Sequence, residues 1–418
     1  MTLVEREFCY APVPGHSLYP RLYSWYNTRG SRLILVGCRL LRILLVSRYP
    51  PVHCGVAEYT RMLARALLDV EPRLELIVAS TREEMRAPYR DKLLGVEVHP
   101  VYDRGDTLEG YLEGLRSLLR RVGGVDVAHL QHEYGIFGCN EGILHALHVL
   151  HEEGLIGSVL VTMHTVYHPL WRRCAASTQE YLAKTGFHVI VHNVLQEFEL
   201  INQGVAPDKL HLVPHGTLVN PHLAAPRRQL LEAFGVEHEG GVLALLPGFI
   251  RRDKGVDTLV EALRGLDGIH VIVAGEPRDE ELVAMLRSSP NVTLVPRYLP
   301  SEALQMLMAS VDLVVLPYRD VPGAYSTSGV LHLAMGSFRA IIGSRTPRLL
   351  ELYQRAPRAT FPQGNAAALR RLLAVASRDP EAIVEMEAGL YSYAVETRWD
   401  AVARRHLDIY AELSQRRR

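Results

Sequence analysis

Residues 245–263, LLPGFIRRDKGVDTLVEAL, hold a complete strand-to-helix transition. An apolar run closes on Pro247 and Gly248, three cations follow, and Gly255 opens a segment whose apolar residues recur at helical spacing. A buried strand that hands over to a helix in this way is the repeating unit of a doubly wound α/β sheet, where ligands lie at the carboxyl ends of the strands. Arg251, Arg252 and Lys254 occupy that edge, and like charges crowded there repel unless an anion sits among them. Arginine grips phosphate oxygens as a fork and lysine adds a compact charge, so the group suits a diphosphate. The other reading of the same spacing is a solvated basic loop with Asp253 as its internal counterion.

Working outward, the pattern repeats on both sides. Upstream from Arg42, the runs RILLVS, LELIVAS, VEVHPV, VDVAHLQ, SVLVTMH, HVIVHN and LHLVPHG alternate with helical segments such as VAEYTRMLARALL, GYLEGLRSLLRRV, the stretch Ile143 to His151, and VLQEFELINQG. After a break at Asn220 to Pro226, VLALLPG, IHVIVAG, VTLVP, DLVVLP and RAIIGS repeat it, with helices starting near Gly255, Asp279, Pro300 and Thr327. Continuous β-branched runs are the mark of buried parallel strands. The predicted fold is therefore α/β, with two Rossmann-like doubly wound domains facing across a cleft. The boundaries are an N-terminal extension of unknown role at 1–40, a first domain at 41–220 and a second at 221–397. Two long amphipathic helices, EAIVEMEAGLYSYAVE and TRWDAVARRHLDIYAEL, close the chain. The last, 398–416, is expected to cross back to the first domain.

Bulk properties narrow the function. A chain of 418 residues exceeds one core. Lys+Arg and Asp+Glu balance at 46 each, which removes a general attraction to nucleic acid or anionic membrane and makes any basic patch local. The five cysteines, Cys9, Cys38, Cys54, Cys139 and Cys174, form no CxxC pair, so neither a zinc knuckle nor a disulfide framework is expected and a reducing cytosol fits. The apolar run near Arg32 to Ser47 is broken by Arg39 and Arg42, too short and charged to span a bilayer. No cleavable signal pattern precedes it. The expected setting is cytoplasmic, with at most a peripheral contact at the inner face of the membrane through TRGSRLILVGCRLLR.

Three further stretches can carry chemistry. In PGAYSTSGVLHLAMG (322–336), Ser326, Thr327, Ser328 and Gly329 precede an apolar helix, so backbone N–H groups and hydroxyls converge as an anion site. Plain N-capping would need only one of them. In YPPVHCGVAEYTRML (49–63), Gly55 begins a helix and lets backbone approach a phosphate or sugar, although one glycine also suits an ordinary turn. His132 in LQHEYGIFG, His164 in VTMHTV and His215 in VPHG end strands or begin loops, where histidine can bond sugar hydroxyls or shuttle protons. With 19 histidines in the chain, any one is more often a packed residue. No HExxH or DxD spacing is present and no HxxxH spacing supports a metal site, so metal-independent chemistry without a cofactor is expected.

Taken in order, SRYPPVHCGVAEYT, LQHEYGIFG, VTMHT, LHLVPHG, GFIRRDKGVDTLVEAL, HVIVAGE, the STSG helix and the terminal helix bearing Trp399 resemble the retaining glycosyltransferases of family 4, which have the GT-B architecture. The resemblance spans roughly Arg42 to Leu413. It implies a hexose, with mannose from guanosine diphosphate mannose slightly favoured, moved from a nucleotide-diphosphate sugar to a glycan, lipid-linked or small-molecule acceptor. By that resemblance Arg251 and Lys254 hold the donor diphosphate and His164 touches the donor sugar. Gly55, Gly248, Tyr325, Ser326, Thr327, Ser328 and Gly329 line the donor site, and His132 and Glu133 face the acceptor side or the donor sugar. Retention would follow from front-face displacement without an enzyme nucleophile.

The chain departs from the family where two glutamates eight positions apart are common, since Tyr325 and Leu333 stand there. Phe249 holds the place of an arginine that Arg251 would replace, and Glu276 is a candidate substitute on the ribose. A lost charged hydrogen bond to ribose costs about 1.5 to 3 kcal/mol of binding. The competing expectation is a non-catalytic nucleotide-sugar or glycan binder with a degenerate site. A GT-B epimerase or phosphorylase has no supporting motif.

Overall fold

The computed structural model describes residues 40–415. The N-terminal extension, its basic apolar stretch up to Arg39, and Cys9 and Cys38 lie outside the described residues. The first half is an eight-stranded sheet in the spatial order Tyr89–Arg90, Glu97–Tyr102, Glu75–Thr81, Arg42–Val46, Val125–His132, Ile156–Met163, His188–Val191, Leu210–Leu212. All neighbours are parallel except the edge strand Tyr89–Arg90. The second half is a six-stranded sheet, Val292–Val295, Ile269–Ala274, Val242–Pro247, Leu313–Leu316, Ala340–Arg345, Thr360–Pro362, all parallel.

Both sheets reverse direction beside their first strand, which is the doubly wound order of a dinucleotide-type fold. The switch point opens a crevice where neighbouring loops diverge. In the first half those loops follow Val46 and His132; in the second they follow Pro247 and Leu316. The strand Val242–Pro247 is buried along its whole length, because helices cover both faces of a parallel sheet and leave no polar side.

Two backbone pairings join the halves among the described residues. Thr217 donates its N–H to Thr397 O (2.7 Å) and accepts from Trp399 N (3.1 Å), so the two chain crossings lie side by side. From there the helix Trp399–Gln415 packs on the helix Gly55–Val70 of the first half. Tyr410 Oη meets His129 Nδ1 at 2.7 Å, and Leu413 O accepts from Ser158 Oγ at 3.1 Å. A second tie is a two-stranded antiparallel ribbon, Thr165–Tyr167 of the first half against Ala324–Ser326 of the second.

Two sequence expectations are corrected. EAIVEMEAGLYSYAVE is not one helix: it breaks into Pro380–Met386 and Ala388–Glu396 around Glu387. That side chain is fully buried and accepts the N–H of Ile341, and burial holds its carboxyl well above the usual range. A polar group drawn inward under a strand outweighs continuation of the helical pattern. The cysteines are not all isolated either. Cys139 and Cys174, with Cα atoms 5.2 Å apart, form a disulfide between the loop before the helix Gly142–Glu152 and the helix Arg173–Thr185. A sequence separation of 35 residues hides such a pair from any local motif.

Candidate active site

After Pro247 the chain turns through Gly248 into a short 3₁₀ turn, Arg252–Lys254, which ends on Gly255 with φ 66° before the helix Val256–Leu263. Gly255 is required there twice. Its φ is left-handed, and a Cβ would stand 1.8 Å from Pro317 O at the end of the strand Leu313–Leu316. Gly255→Ala is therefore expected to destabilise the protein by more than about 2 kcal/mol, since both strain and a backbone collision must be relieved. An unchanged urea midpoint would contradict this.

The turn sorts its cations. Arg252 points outward to Asp279 and Glu281 on the surface. Arg251, half exposed, is held by Asp253, with Nε 2.5 Å from Oδ1 and Nη2 3.0 Å from Oδ2. Lys254 turns inward. It is 8% exposed, and its Nζ lies 3.9 Å above the centre of the Tyr318 ring. Among the described residues no hydrogen bond or ion pair holds that ammonium. Burial first, then the neighbouring Arg348 guanidinium, pushes its pKa down to about 7. Asp253 and Asp320 act the other way without contacting it, and burial outweighs them.

Tyr318 links this turn to the STSG segment. Its buried hydroxyl lies beside Ser328, and burial raises its pKa to about 12, so it stays neutral. Ser328 caps the helix Gly329–Gly336 by accepting from Leu331 N. Gly329 stands against His215, where a Cβ would come within 3.0 Å of Nε2. Tyr325 and Ser326 belong to the inter-half ribbon. Asn193 Nδ2 donates to Ser326 O (3.1 Å) and Thr327 Oγ1 (2.9 Å), while the buried Gln196 donates to His164 O and Tyr325 O. The segment leading into that helix is thus held from the first half.

From that half, His164 reaches Gln131 Oε1 at 3.0 Å through Nε2 and packs edge-on to Tyr59. Glu133 accepts from Thr165 Oγ1 at 2.7 Å, and burial raises its pKa against that hydrogen bond. Gly55 is exposed with open space around it. The loop before it crosses the cleft: His53 stacks on Tyr298 with centroids 3.9 Å apart and meets Glu276 at 3.2 Å. Glu276 also pairs with Arg278.

His132 is a correction. It is fully buried, stacked on Phe137 and edge-on to Tyr134, and so belongs to the core beneath Glu133 rather than to an open acceptor surface. Leu333 is likewise core, 6% exposed, and the half-buried Tyr325 is engaged in the ribbon, so no carboxylate replaces the family's pair there.

Sequence reasoning missed Arg348, Asp320 and Tyr318. Tyr318 and Asp320 follow the strand Leu313–Leu316, whose place beside the first strand of its sheet was the available signal. Arg348 Nη1 reaches Asp253 Oδ2 at 2.9 Å, its Nε reaches Asp320 Oδ1 at 2.8 Å, and its guanidinium covers the Tyr318 ring at 4.8 Å. Among the described residues no group of three or more His, Cys, Asp or Glu side chains could hold a metal ion, and no helix is long and apolar enough to cross a membrane.

Comparison with known proteins bears on the fold and on the second half. Residues 242–385 match the family described as glycosyl transferases group 1. No curated protein sequence matches the chain. Among solved structures, the chain is similar to a sucrose-phosphate synthase from Thermosynechococcus elongatus, with TM-score 0.70, 17% identity, and 89% of this chain and 99% of that one covered. It is similar to Anabaena HepE in complex with UDP-glucose, with TM-score 0.67, 13% identity, and 89% and 100% covered. It also resembles the catalytic domain of starch synthase IV from Arabidopsis thaliana bound to ADP and acarbose, with TM-score 0.60, 15% identity, and 90% and 99% covered. The second half thus matches the glycosyl transferases group 1, and the chain as a whole shares the GT-B fold of these solved structures, two doubly wound halves with the cationic turn in the matched one.

Proposed function

We propose that the chain transfers a hexosyl group, with mannose the favoured sugar, from a nucleotide-diphosphate donor to a glycan, lipid-linked or small-molecule acceptor, with retention of configuration and without a metal. The observation that carries this reading is the Lys254 ammonium, buried over the ring of Tyr318 with no hydrogen bond or ion pair among the described residues, while the Tyr318 hydroxyl lies beside Ser328 at the helix N-terminus. A diphosphate supplies the contacting anion that Lys254 itself lacks, and the cation offsets the charge that grows as the nucleoside diphosphate departs. Complexes of structural relatives with UDP-glucose and with ADP support the donor class.

In the step we infer, the bond between the sugar C1 and the diphosphate oxygen breaks while the acceptor oxygen bonds to C1 on the same face. The acceptor proton passes to the departing phosphate oxygen. Lys254 and Arg251 hold that phosphate, and His164, at the end of its strand, orients the sugar. The acceptor enters from the side of Glu133.

A second reading, a binder that has lost catalysis, is favoured by the apolar Leu333 and by Tyr325 at the places of the glutamate pair. Incubation with UDP-, GDP- and ADP-sugars and an acceptor panel separates the two. Release of nucleoside diphosphate is expected with one donor base, together with a ligand-dependent rise in Tm. A Tm rise without release under any condition would favour the binder.

A further inference from the structure

We propose that Arg348 is a positioning residue: it holds the Asp253 carboxylate off Lys254 and so keeps the ammonium available to an anionic phosphoryl ligand. That the ligand is a nucleotide sugar rests on the reading above; the positioning role does not.

Asp253 precedes Lys254 in the chain and is its natural counterion. Yet both its oxygens are already engaged. Oδ1 takes Arg251 Nε (2.5 Å), and Oδ2 takes Arg251 Nη2 (3.0 Å) and Arg348 Nη1 (2.9 Å). Arg348 is in turn fixed from behind: its Nε and Nη2 both donate to Asp320 Oδ1, and its backbone N–H donates to Oδ2 at 3.0 Å. The arginine fork can bridge two carboxylates at once, which a lysine cannot do.

Charge arithmetic gives the consequence. Arg251, Arg348 and Lys254 face Asp253 and Asp320, which leaves one positive charge in excess. That excess sits on the most buried cation of the three. The Tyr318 face offers it partial compensation, worth about 0.5 to 2 kcal/mol, and no full charge. Burial works to raise the Asp253 pKa, but Lys254, Arg348 and Arg251 hold it below the usual range, so the carboxylate remains a charged competitor for Lys254 once it is released.

The experiment is binding of inorganic pyrophosphate and of UDP, GDP and ADP to the full chain at pH 6.5, measured by titration calorimetry, with thermal melts to confirm folding. The wild type is expected to bind pyrophosphate. Arg348→Met and Arg348→Lys should each lose about tenfold in affinity. Asp253→Asn, combined with either, should restore binding to within about threefold of Asp253→Asn alone. Three outcomes overturn the proposal: no pyrophosphate binding by the wild type, Arg348→Lys binding like the wild type, which would mean that charge alone matters, or double variants as weak as the single ones. Should Arg348→Met fail to fold, the lysine pair carries the test. Pyrophosphate binding with no nucleotide bound would sink the nucleotide-sugar reading while leaving this one standing.

Discussion

Lys254→Ala is expected to lower kcat/KM for transfer by about a hundred- to a thousandfold while leaving Tm unchanged or raised. The loss follows from position: a cation that meets charge developing on the leaving group acts on the transition state, and removal of one such group typically costs about that factor. The stability half of the result has the opposite sign because burial outweighs the attraction of Asp253 and Asp320 for Lys254 in the free protein, and deleting a desolvated charge removes a penalty. Lost activity combined with unreduced stability is what a binding cation gives. A structural lysine would lose both.

The pH profile should agree. With Lys254 at about 7 in the free protein, the ammonium needed for binding is present below that pH and disappears above it, so kcat/KM should fall as pH rises through 7. A lysine with an ordinary value near 10.4 would show no such limb. Undiminished turnover in Lys254→Ala, or a flat profile from pH 6 to 9, would remove the diphosphate role from this residue.

Acidification is the second large effect. A row of rings runs through the junction of the halves: His164 and His192 with centroids 5.3 Å apart, His192 and His215 at 5.9 Å, His215 and His332 at 4.8 Å, with Tyr59 packed against the first three. Burial lowers His192 to about 4 and His332 to about 3, and pushes His164 and His215 well below the usual value. His132 at about 3 and His406 at about 4 are lowered by the same cause.

Each of these histidines is neutral when folded and takes a proton more readily when unfolded. Its contribution is therefore intact above about pH 6.5 and is withdrawn as pH falls below that value, at about 1.4 kcal/mol per unit. By pH 5 His192, His332, His132 and His406 each remove about 2 kcal/mol, against a total stability of about 5–15 kcal/mol. Glu351, raised to about 7 by burial, has the opposite sign and gains as pH falls through 7, as do Glu387 and Glu133, which burial also raises. Three carboxyls do not offset these six histidines together with His129, which burial lowers in the same way. We expect Tm to drop by more than about 10 °C between pH 7 and pH 5. Equal melting temperatures at those two values would show that the histidines are hydrated and titrate normally.

Much of this molecule was legible in the residue order. The runs that became Val242–Pro247, Ile269–Ala274 and Leu313–Leu316 are apolar without interruption, because strands covered by helices on both faces have no solvent side to record. Asp279 and Ser328 cap helices where short polar side chains precede apolar periodicity. GFIRRDKG placed cations at a strand end, which is a local statement and needs no third dimension.

The sequence by itself thus determined the class of fold, the two-fold repetition of its units and the presence of a basic turn at a ligand-bearing edge, since each depends on contacts a few residues long. Only the tertiary structure decided which cation turns inward, because Arg251 and Lys254 are separated by the ion pairs of Asp253 with Arg348, a residue 95 positions away. It also decided that His132 is core, that Cys139 meets Cys174, and that four histidines from distant segments share one interior. Burial and charge pairing are set by what arrives from elsewhere in the chain, and periodicity carries no record of it.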